Sequence, residues 1–291
     1  MEITSYDRGI VSYSEYLKNN NVDERYLEKY SWVKSIIIYV IPYPTVTLCE
    51  KYLPAKFAYN FDYHIFVKDF LLEEAKKLNL DQYEVLVDKS FLNEKKLSEM
   101  ANLGFIGKNR LFISNKFGSF CYLGEIVTSN SFDYSIEYKI NNDNLCLNCD
   151  KCVKACPNGA LNDGFDRNLC LSYLSQGAST NYHLFDKMKL YYGCDNCQDV
   201  CPYNKEKRAS QLNESVVLNL DKYEKILDYK EYAKDKTFNW ISEAKLIRNL
   251  LVVETNDKHI TLKKLEYYKN KYKDIIWLKD HIEYLEKKLE E

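Results

Sequence analysis

Eight of the ten cysteines in this 291-residue chain fall between Cys146 and Cys201, and no other feature narrows the possible folds so much. Thiols crowded in this way build either a disulfide framework or a metal site. Disulfide frameworks belong to small secreted domains. This chain is longer than one typical domain, and its opening Met1-Glu-Ile-Thr-Ser-Tyr lacks the charged and apolar regions of a signal peptide. The expectation is a metal site in a reducing, cytoplasmic setting. Cys49 and Cys121 stand apart in apolar surroundings and read as core residues.

The spacing says which metal. The first run is Cys146-Leu-Asn-Cys149-Asp-Lys-Cys152-Val-Lys-Ala-Cys156-Pro157, the two-two-three spacing, ending in Pro, of bacterial ferredoxins. Three closely spaced thiolates wrap three corners of a cubane, and the fourth points away to serve a second cluster. The second run, Cys194-Asp-Asn-Cys197-Gln-Asp-Val-Cys201-Pro202, supplies three more ligands, and Cys170 completes eight. The favoured pairing puts Cys146, Cys149, Cys152 and Cys201 on one four-iron, four-sulfur cluster, and Cys156, Cys170, Cys194 and Cys197 on the other. Soft thiolate donors suit such clusters. Structural zinc is the competing reading, but zinc needs only CxxC pairs and gives no reason for the tight triplet or the two Cys-Pro endings.

Around this segment the chain reads as ordinary globular protein. The apolar share is 46%, with 26 Tyr but only 9 Gly and 5 Pro, which argues against disorder and against an all-turn β architecture. A net charge of −2 gives no bulk attraction to nucleic acid or anionic membrane. The longest apolar stretch, 36–42, is too short to cross a bilayer and reads as a buried strand. Up to about residue 141 the pattern predicts helices at 14–19, 24–30, 63–78 and 89–100, and strands at 32–42 and 83–87. A turn is expected at 104–107, then a hairpin of 110–113 with 120–128 around Phe117-Gly118-Ser119. From 210 onward, Lys, Glu, Leu and Tyr dominate, and helices are expected at 244–253, 261–271 and 275–289. The fold class is α+β: an α/β layered domain (1–141), a ferredoxin-like module (142–209) and a small helical domain (210–291).

A two-cluster carrier needs only a few dozen residues, so the large first domain must receive electrons. Here the sequence resembles the epoxyqueuosine reductases, which act in the last step of queuosine synthesis on tRNA. The resemblance is carried in order by Tyr59-Asn-Phe-Asp62-Tyr63-His64, by Val87-Asp88 with Glu94, and by Leu103-Gly104-Phe-Ile-Gly107-Lys108-Asn109. It continues through Gly118-Ser119, Leu123-Gly124-Glu125-Ile126, Cys170-Leu-Ser172-Tyr173-Leu174 and Gly193-Cys194-Asp195-Asn-Cys197, and ends at Trp240 and Arg248-Asn249-Leu250. Two departures are Lys89-Ser90-Phe91, where the family usually has a Gly-Pro type turn, and Lys95, where it commonly has Arg.

The resemblance implies a cobalamin in the first domain, reduced by two 4Fe-4S clusters, that removes the epoxide oxygen of epoxyqueuosine at the tRNA wobble position. It implies a HEAT-like helical tail. The family's proton donor maps onto Asp88, and its cobalamin contacts map near Phe112, Leu123, Ser172, Cys194 and Asp195. An acidic residue after a strand can equally be a turn or helix cap, and Ser172 and Asp195 can equally be local caps. Lys108 is expected to neutralise a cofactor oxygen or cap a helix, and His64 to be a satisfied, partly buried histidine. Partners are expected to be tRNA, with basic candidates around 205–208 and 263–273, and a small electron donor such as flavodoxin or ferredoxin, with no membrane. The alternatives are a corrinoid iron–sulfur reductase of another substrate, dehalogenase-like, and a non-enzymatic two-cluster electron carrier.

Overall fold

The apolar run beginning at Ser35 becomes the best-buried strand of a four-stranded sheet. In the computed structural model, residues 3–43, 51–88, 90–132, 145–204 and 216–291 are described. The predicted core position Cys49 and the basic stretch 205–208 lie outside them. The chain divides into two units, the first made of Met1–Thr45, Tyr63–Asp150 and Cys201–Ser210, the second of Val46–Asp62, Lys151–Val200 and Gln211–Glu291.

The first unit runs β1 (Asp7–Ser12), α1 (Tyr13–Asn19), α2 (Glu24–Lys29), β2 (Ser35–Pro42), α3 (Tyr63–Lys77), β3 (Tyr83–Leu86), α4 (Glu94–Met100), β4 (Gly104–Ile106), β5 (Phe112–Ser114) and β6 (Cys121–Thr128). The sheet order is β1-β2-β6-β3, and every neighbouring pair is antiparallel. Side chains alternate across a strand, so β6 feeds two cores. Leu123 and Val127 pack with Ile36, Ile38, Leu97 and Met100 on the α4 side. Gly124 faces α3, where an added Cβ would lie 2.8 Å from Leu71 and 3.1 Å from Val67. Glycine at that position lets α3 sit close against the sheet.

Three sequence expectations are corrected here. The helix foreseen over 89–100 starts only at Glu94, because Asn93 caps it and accepts the Lys96 N–H at 3.1 Å. The foreseen hairpin of 110–113 with 120–128 does not form. Strand β5 pairs with β4, and β6 is buried between β2 and β3. The segment 104–107, expected as a turn, is mostly strand β4. The tight turn comes after it, closed by the Arg110 N–H on the Gly107 carbonyl at 2.9 Å. Strand β1 carried no signal strong enough to be foreseen.

The second unit contains α5 (Lys151–Ala155), α6 (Leu171–Leu174), α7 (Asn196–Asp199), α8 (Leu220–Tyr223), α9 (Tyr229–Ala233), α10 (Glu243–Asn256), α11 (Leu262–Lys271) and α12 (Ile276–Glu290). The cysteine segment and the helical tail share one core. Leu171, Leu174, Phe185 and Met188 from the former pack with Leu246, Leu250, Ile282 and Leu285 from the latter. These units do not coincide with a division at 141/142 and 209/210. Helix α10 is buried over most of its surface, including Arg248 and Asn249. Among the described residues no helix is long and apolar enough to cross a membrane.

Candidate cluster centre and acid site

In the first unit the acid site grows from the end of β3. Asp88 follows that strand in a left-handed conformation, φ +58°, an uncommon position for a non-glycine residue that Asp tolerates better than most. Its backbone N–H donates to Glu94 Oε1 at 2.7 Å. Its side chain is 56% exposed and lies 3.3 Å from His64 Nε2. His64 is itself half-buried and stacks on Tyr63 with ring centroids 4.1 Å apart. Glu94 occupies the first turn of α4, where a negative charge suits the helix dipole. Burial and the nearby Asp88 push its carboxyl up to about 7. Glu125, on β6 opposite Leu86, is wholly buried, and burial with Glu94 alongside raises its carboxyl well above the usual range. Sequence reasoning noted Glu94 and Glu125 only as motif letters. Their tertiary pairing gave no local signal, since β6 and α4 are distant in the chain.

The same unit brings together Cys146, Cys149 and Cys201. The Cys149 N–H donates to the Cys146 carbonyl at 2.9 Å, and the Tyr203 hydroxyl donates to the Leu145 carbonyl at 3.1 Å. Burial raises the Cys201 thiol, and Cys146 and Cys149 push it further. Lys108 neither caps a helix nor is left bare. Its Nζ meets Asp150 Oδ1 at 2.6 Å, and Asp150, Cys146 and Cys149 all raise its pKa. Cys121, expected in a core, is half-buried, and its thiol reaches the Gly118 carbonyl at 3.6 Å.

The second unit brings together Cys156, Cys170, Cys194 and Cys197. Burial pushes the Cys194 thiol up to about 12 and Cys197 higher still, and Cys156 and Cys170 add to both. Cys152 belongs to this unit by position and raises Cys197 as well. Thiols that burial and one another hold protonated are poor ligands alone. A cluster's iron supplies the positive charge that makes them thiolates, so this donor set fits iron–sulfur binding.

Between two of these cysteines, Asp195 is buried and its Oδ2 accepts from the Lys56 backbone N–H at 2.9 Å, while its Oδ1 has no partner. Burial pushes its carboxyl up to about 6. Lys56 also reaches Asp199 at 2.5 Å. Ser172 is half-buried on α6, and its carbonyl accepts from Ser175 Oγ at 2.8 Å, which in turn accepts the Gly193 N–H at 3.0 Å. Helix α10 supports this loop through Arg248, whose Nη2 donates to the carbonyls of Leu174 and Gly177 at 3.1 and 2.9 Å.

For a corrinoid the structure offers partial tests in each unit. In the first, Phe112 is buried in the core, so it can offer only backbone, whereas Leu123 is half-buried. The Asn109 Nδ2 is buried without a partner, suited to an amide carbonyl of the kind that fringes a corrin. In the second, the free Asp195 Oδ1 is suited to an amide N–H. These residues fit the group.

For phosphate, the basic stretch at 263–273 is partly committed. Lys264 pairs with Asp221, Lys269 with Glu286 at 2.6 Å, and Lys271 lies over the Tyr272 ring. A cavity of about 740 Å³ in the second unit, lined by Lys51, Lys56, Lys187 and Lys189 together with Asp186, Asp199 and Asp257, is a concavity of mixed charge that the sequence did not reveal, and Lys51 and Lys56 are already paired with Asp257 and Asp199.

Fold and donor set together define an α+β iron–sulfur protein. Residues 145–204 match a domain family described as a 4Fe-4S double cluster binding domain. More particularly, the chain is similar to epoxyqueuosine reductases. That of Lactococcus garvieae is 36% identical over 205 residues, covering 65% of this chain and 57% of the relative. That of Listeria monocytogenes is 36% identical over 165 residues, covering 52% and 41%. The chain thus spans about two fifths of the length of the Listeria relative (41%) and of a Bacillus anthracis one (39%). Among solved structures, an epoxyqueuosine reductase from Streptococcus thermophilus superposes with a TM-score of 0.75 at 24% identity, over 91% of this chain and 81% of that one. Another, solved with an epoxyqueuosine-modified tRNA-Tyr stem loop, gives 0.74 at 23% identity, over 89% and 80%. The fold is therefore that of the epoxyqueuosine reductases.

Proposed function

We propose that this chain reduces epoxyqueuosine in tRNA to queuosine, with two 4Fe-4S clusters as the electron path and Asp88 as the proton donor. The observation that carries the reading is the pairing of a double-cluster cysteine set with an exposed acid, Asp88, fixed by its backbone on Glu94. Removal of the epoxide oxygen consumes two electrons and two protons, leaves an alkene and releases the oxygen as water. Cobalamin, when bound, supplies the nucleophilic, low-valent metal needed to open the ring. By the family resemblance, Phe112, Leu123, Ser172, Cys194 and Asp195 are the residues proposed to hold it. Cys146, Cys149, Cys152 and Cys201 would ligate one cluster and Cys156, Cys170, Cys194 and Cys197 the other. Opening an epoxide leaves an alkoxide, and a nearby carboxylic acid can protonate it as charge develops. Two features support that role for Asp88: its carboxyl is exposed, and His64 lies 3.3 Å from it. The tRNA partner is supported by the solved relative bound to a modified stem loop. A small flavodoxin or ferredoxin is the proposed donor, and the cytoplasm the proposed site of action.

The test is conversion of epoxyqueuosine to queuosine in a tRNA substrate, with cobalamin omitted as control. Cobalamin-dependent conversion is expected. A protein that binds clusters but no cobalamin would be a carrier, and one that binds cobalamin but ignores this tRNA would be a corrinoid reductase of another substrate. Either result overturns the reading.

A further inference from the structure

Helix α6 is a single turn of 4 residues, too short to hold itself together in water, and Cys170 is its N-cap. Its far end is held from outside by α10. The Arg248 Nη2 donates to the carbonyls of Leu174 and Gly177 at 3.1 and 2.9 Å, and the Asn249 Nδ2 donates to the Ser175 carbonyl at 2.8 Å. The Arg248 Nε donates to Asn249 Oδ1 at 2.6 Å and so locks the two donors to each other. Arg248, Asn249 and Ser175 are all 0% exposed. The guanidinium thus sits at the carbonyl end of α6, the end of a helix dipole that favours a cation.

The Ser175 hydroxyl carries that hold across to a second stretch of chain. It accepts the Gly193 N–H at 3.0 Å, so its one hydrogen is left for the Ser172 carbonyl at 2.8 Å. Ser172 stands just after Cys170 and Leu171, and Gly193 immediately precedes Cys194. The Leu174 N–H closes the turn on the Cys170 carbonyl at 2.9 Å. Gly193 has no room to retreat on its other side. Its φ is +77°, and a Cβ there would lie 2.6 Å from Ala55 Cβ and 2.8 Å from Phe57 Cε1. We infer that Ser175 is a positioning residue for one iron–sulfur cluster: its hydroxyl sets the spacing of Cys170 and Cys194, and Arg248 and Asn249 hold it in place. The helical tail is then part of that cluster's mount. The inference rests on the assignment of Cys170 and Cys194 to the same cluster.

The experiment follows the electron paramagnetic resonance of the cluster-loaded full chain through an anaerobic redox titration. Cys170→Ser and Cys194→Ser first identify the signal, and both should alter the same one. If they alter different signals, the ligand assignment fails and the inference falls with it. In Ser175→Ala the Gly193 N–H loses its acceptor and becomes a donor that the more negative, reduced cluster can use. That cluster's equilibrium should move roughly tenfold toward the reduced form, about 59 mV for one electron, while the other cluster stays put. Asn249→Ala should move the same cluster in the same direction, and an unmoved potential there would remove the helical tail from the mount. A Ser175→Ala protein with a lower thermal midpoint but an unchanged potential would make Ser175 a packing residue and overturn its positioning role. A shift shared equally by both clusters would do the same. Every reading is taken without turnover, so a chain that fails to reduce epoxyqueuosine would sink the proposed function and still decide the role of Ser175.

Discussion

Asn204 clasps Ser119 at two points, accepting the Ser119 backbone N–H on Oδ1 at 2.7 Å and returning Nδ2 to Ser119 Oγ at 2.9 Å. The clasp fastens the segment just after Cys201-Pro202 to the turn that precedes β6. Beside it, Gly118 has φ +69°, and a Cβ there would lie 2.1 Å from Asn204 Oδ1 and 2.7 Å from the Tyr203 carbonyl oxygen. The position of Cys201 thus depends on a residue without a side chain more than eighty positions earlier.

Gly118→Ala should therefore disturb the cluster that Cys201 ligates and spare the other. Strain at a left-handed position and a backbone clash together should cost on the order of 2 kcal/mol or more. Selective loss of one cluster signal in electron paramagnetic resonance is expected, and equal loss of both would count against the assignment of Cys201.

The interleaved ligand sets can be tested by a double substitution. Cys156→Ser with Cys170→Ser should halve the iron content, since both residues serve one cluster. Sequential ligation by Cys146, Cys149, Cys152 and Cys156 would instead make the double variant lose iron from both sites.

Asp88→Asn should keep both clusters and tRNA affinity but lower kcat for epoxyqueuosine reduction by roughly 10²-fold or more, the usual reach of a general acid. A variant retaining full turnover would remove Asp88 from the chemistry.

The buried acids also make stability depend on pH. A carboxyl whose folded-state pKa is raised binds its proton more tightly folded than unfolded, so its contribution is favourable at low pH and falls as pH rises through the window. For Glu94 that window runs from 4.5, the ordinary value, to about 7, with Glu125 extending it upward. The slope is at most about 1.4 kcal/mol per pH unit for one proton. Glu125→Gln should gain thermal midpoint over the parent protein as pH rises through this window, measured anaerobically by calorimetry.

Removing the support behind the cysteine segment should be costly. Asn249 Nδ2 donates to the Ser175 carbonyl at 2.8 Å, and its Oδ1 accepts from Arg248 Nε at 2.6 Å, all in the interior. Asn249→Ala leaves both partners unsatisfied and should destabilise the protein by about 1–3 kcal/mol, visible as a lower thermal midpoint.

The sequence by itself determined the cysteine chemistry, the buried strand Ser35–Pro42 and the long helices Tyr63–Lys77, Glu243–Asn256 and Ile276–Glu290. Each is written in spacing or periodicity over a few consecutive residues, where local geometry and hydrophobic pattern agree. Tertiary structure decided what β6 pairs with, because a strand buried on both faces does not name its neighbours. It also decided that the cysteine segment and the helical tail share a core, that the Asp88 N–H meets Glu94, and that Glu125 is sealed inside the sheet. Burial creates the proton affinity of that acid group, and burial is a property of what the chain packs against rather than of the residues one reads in order.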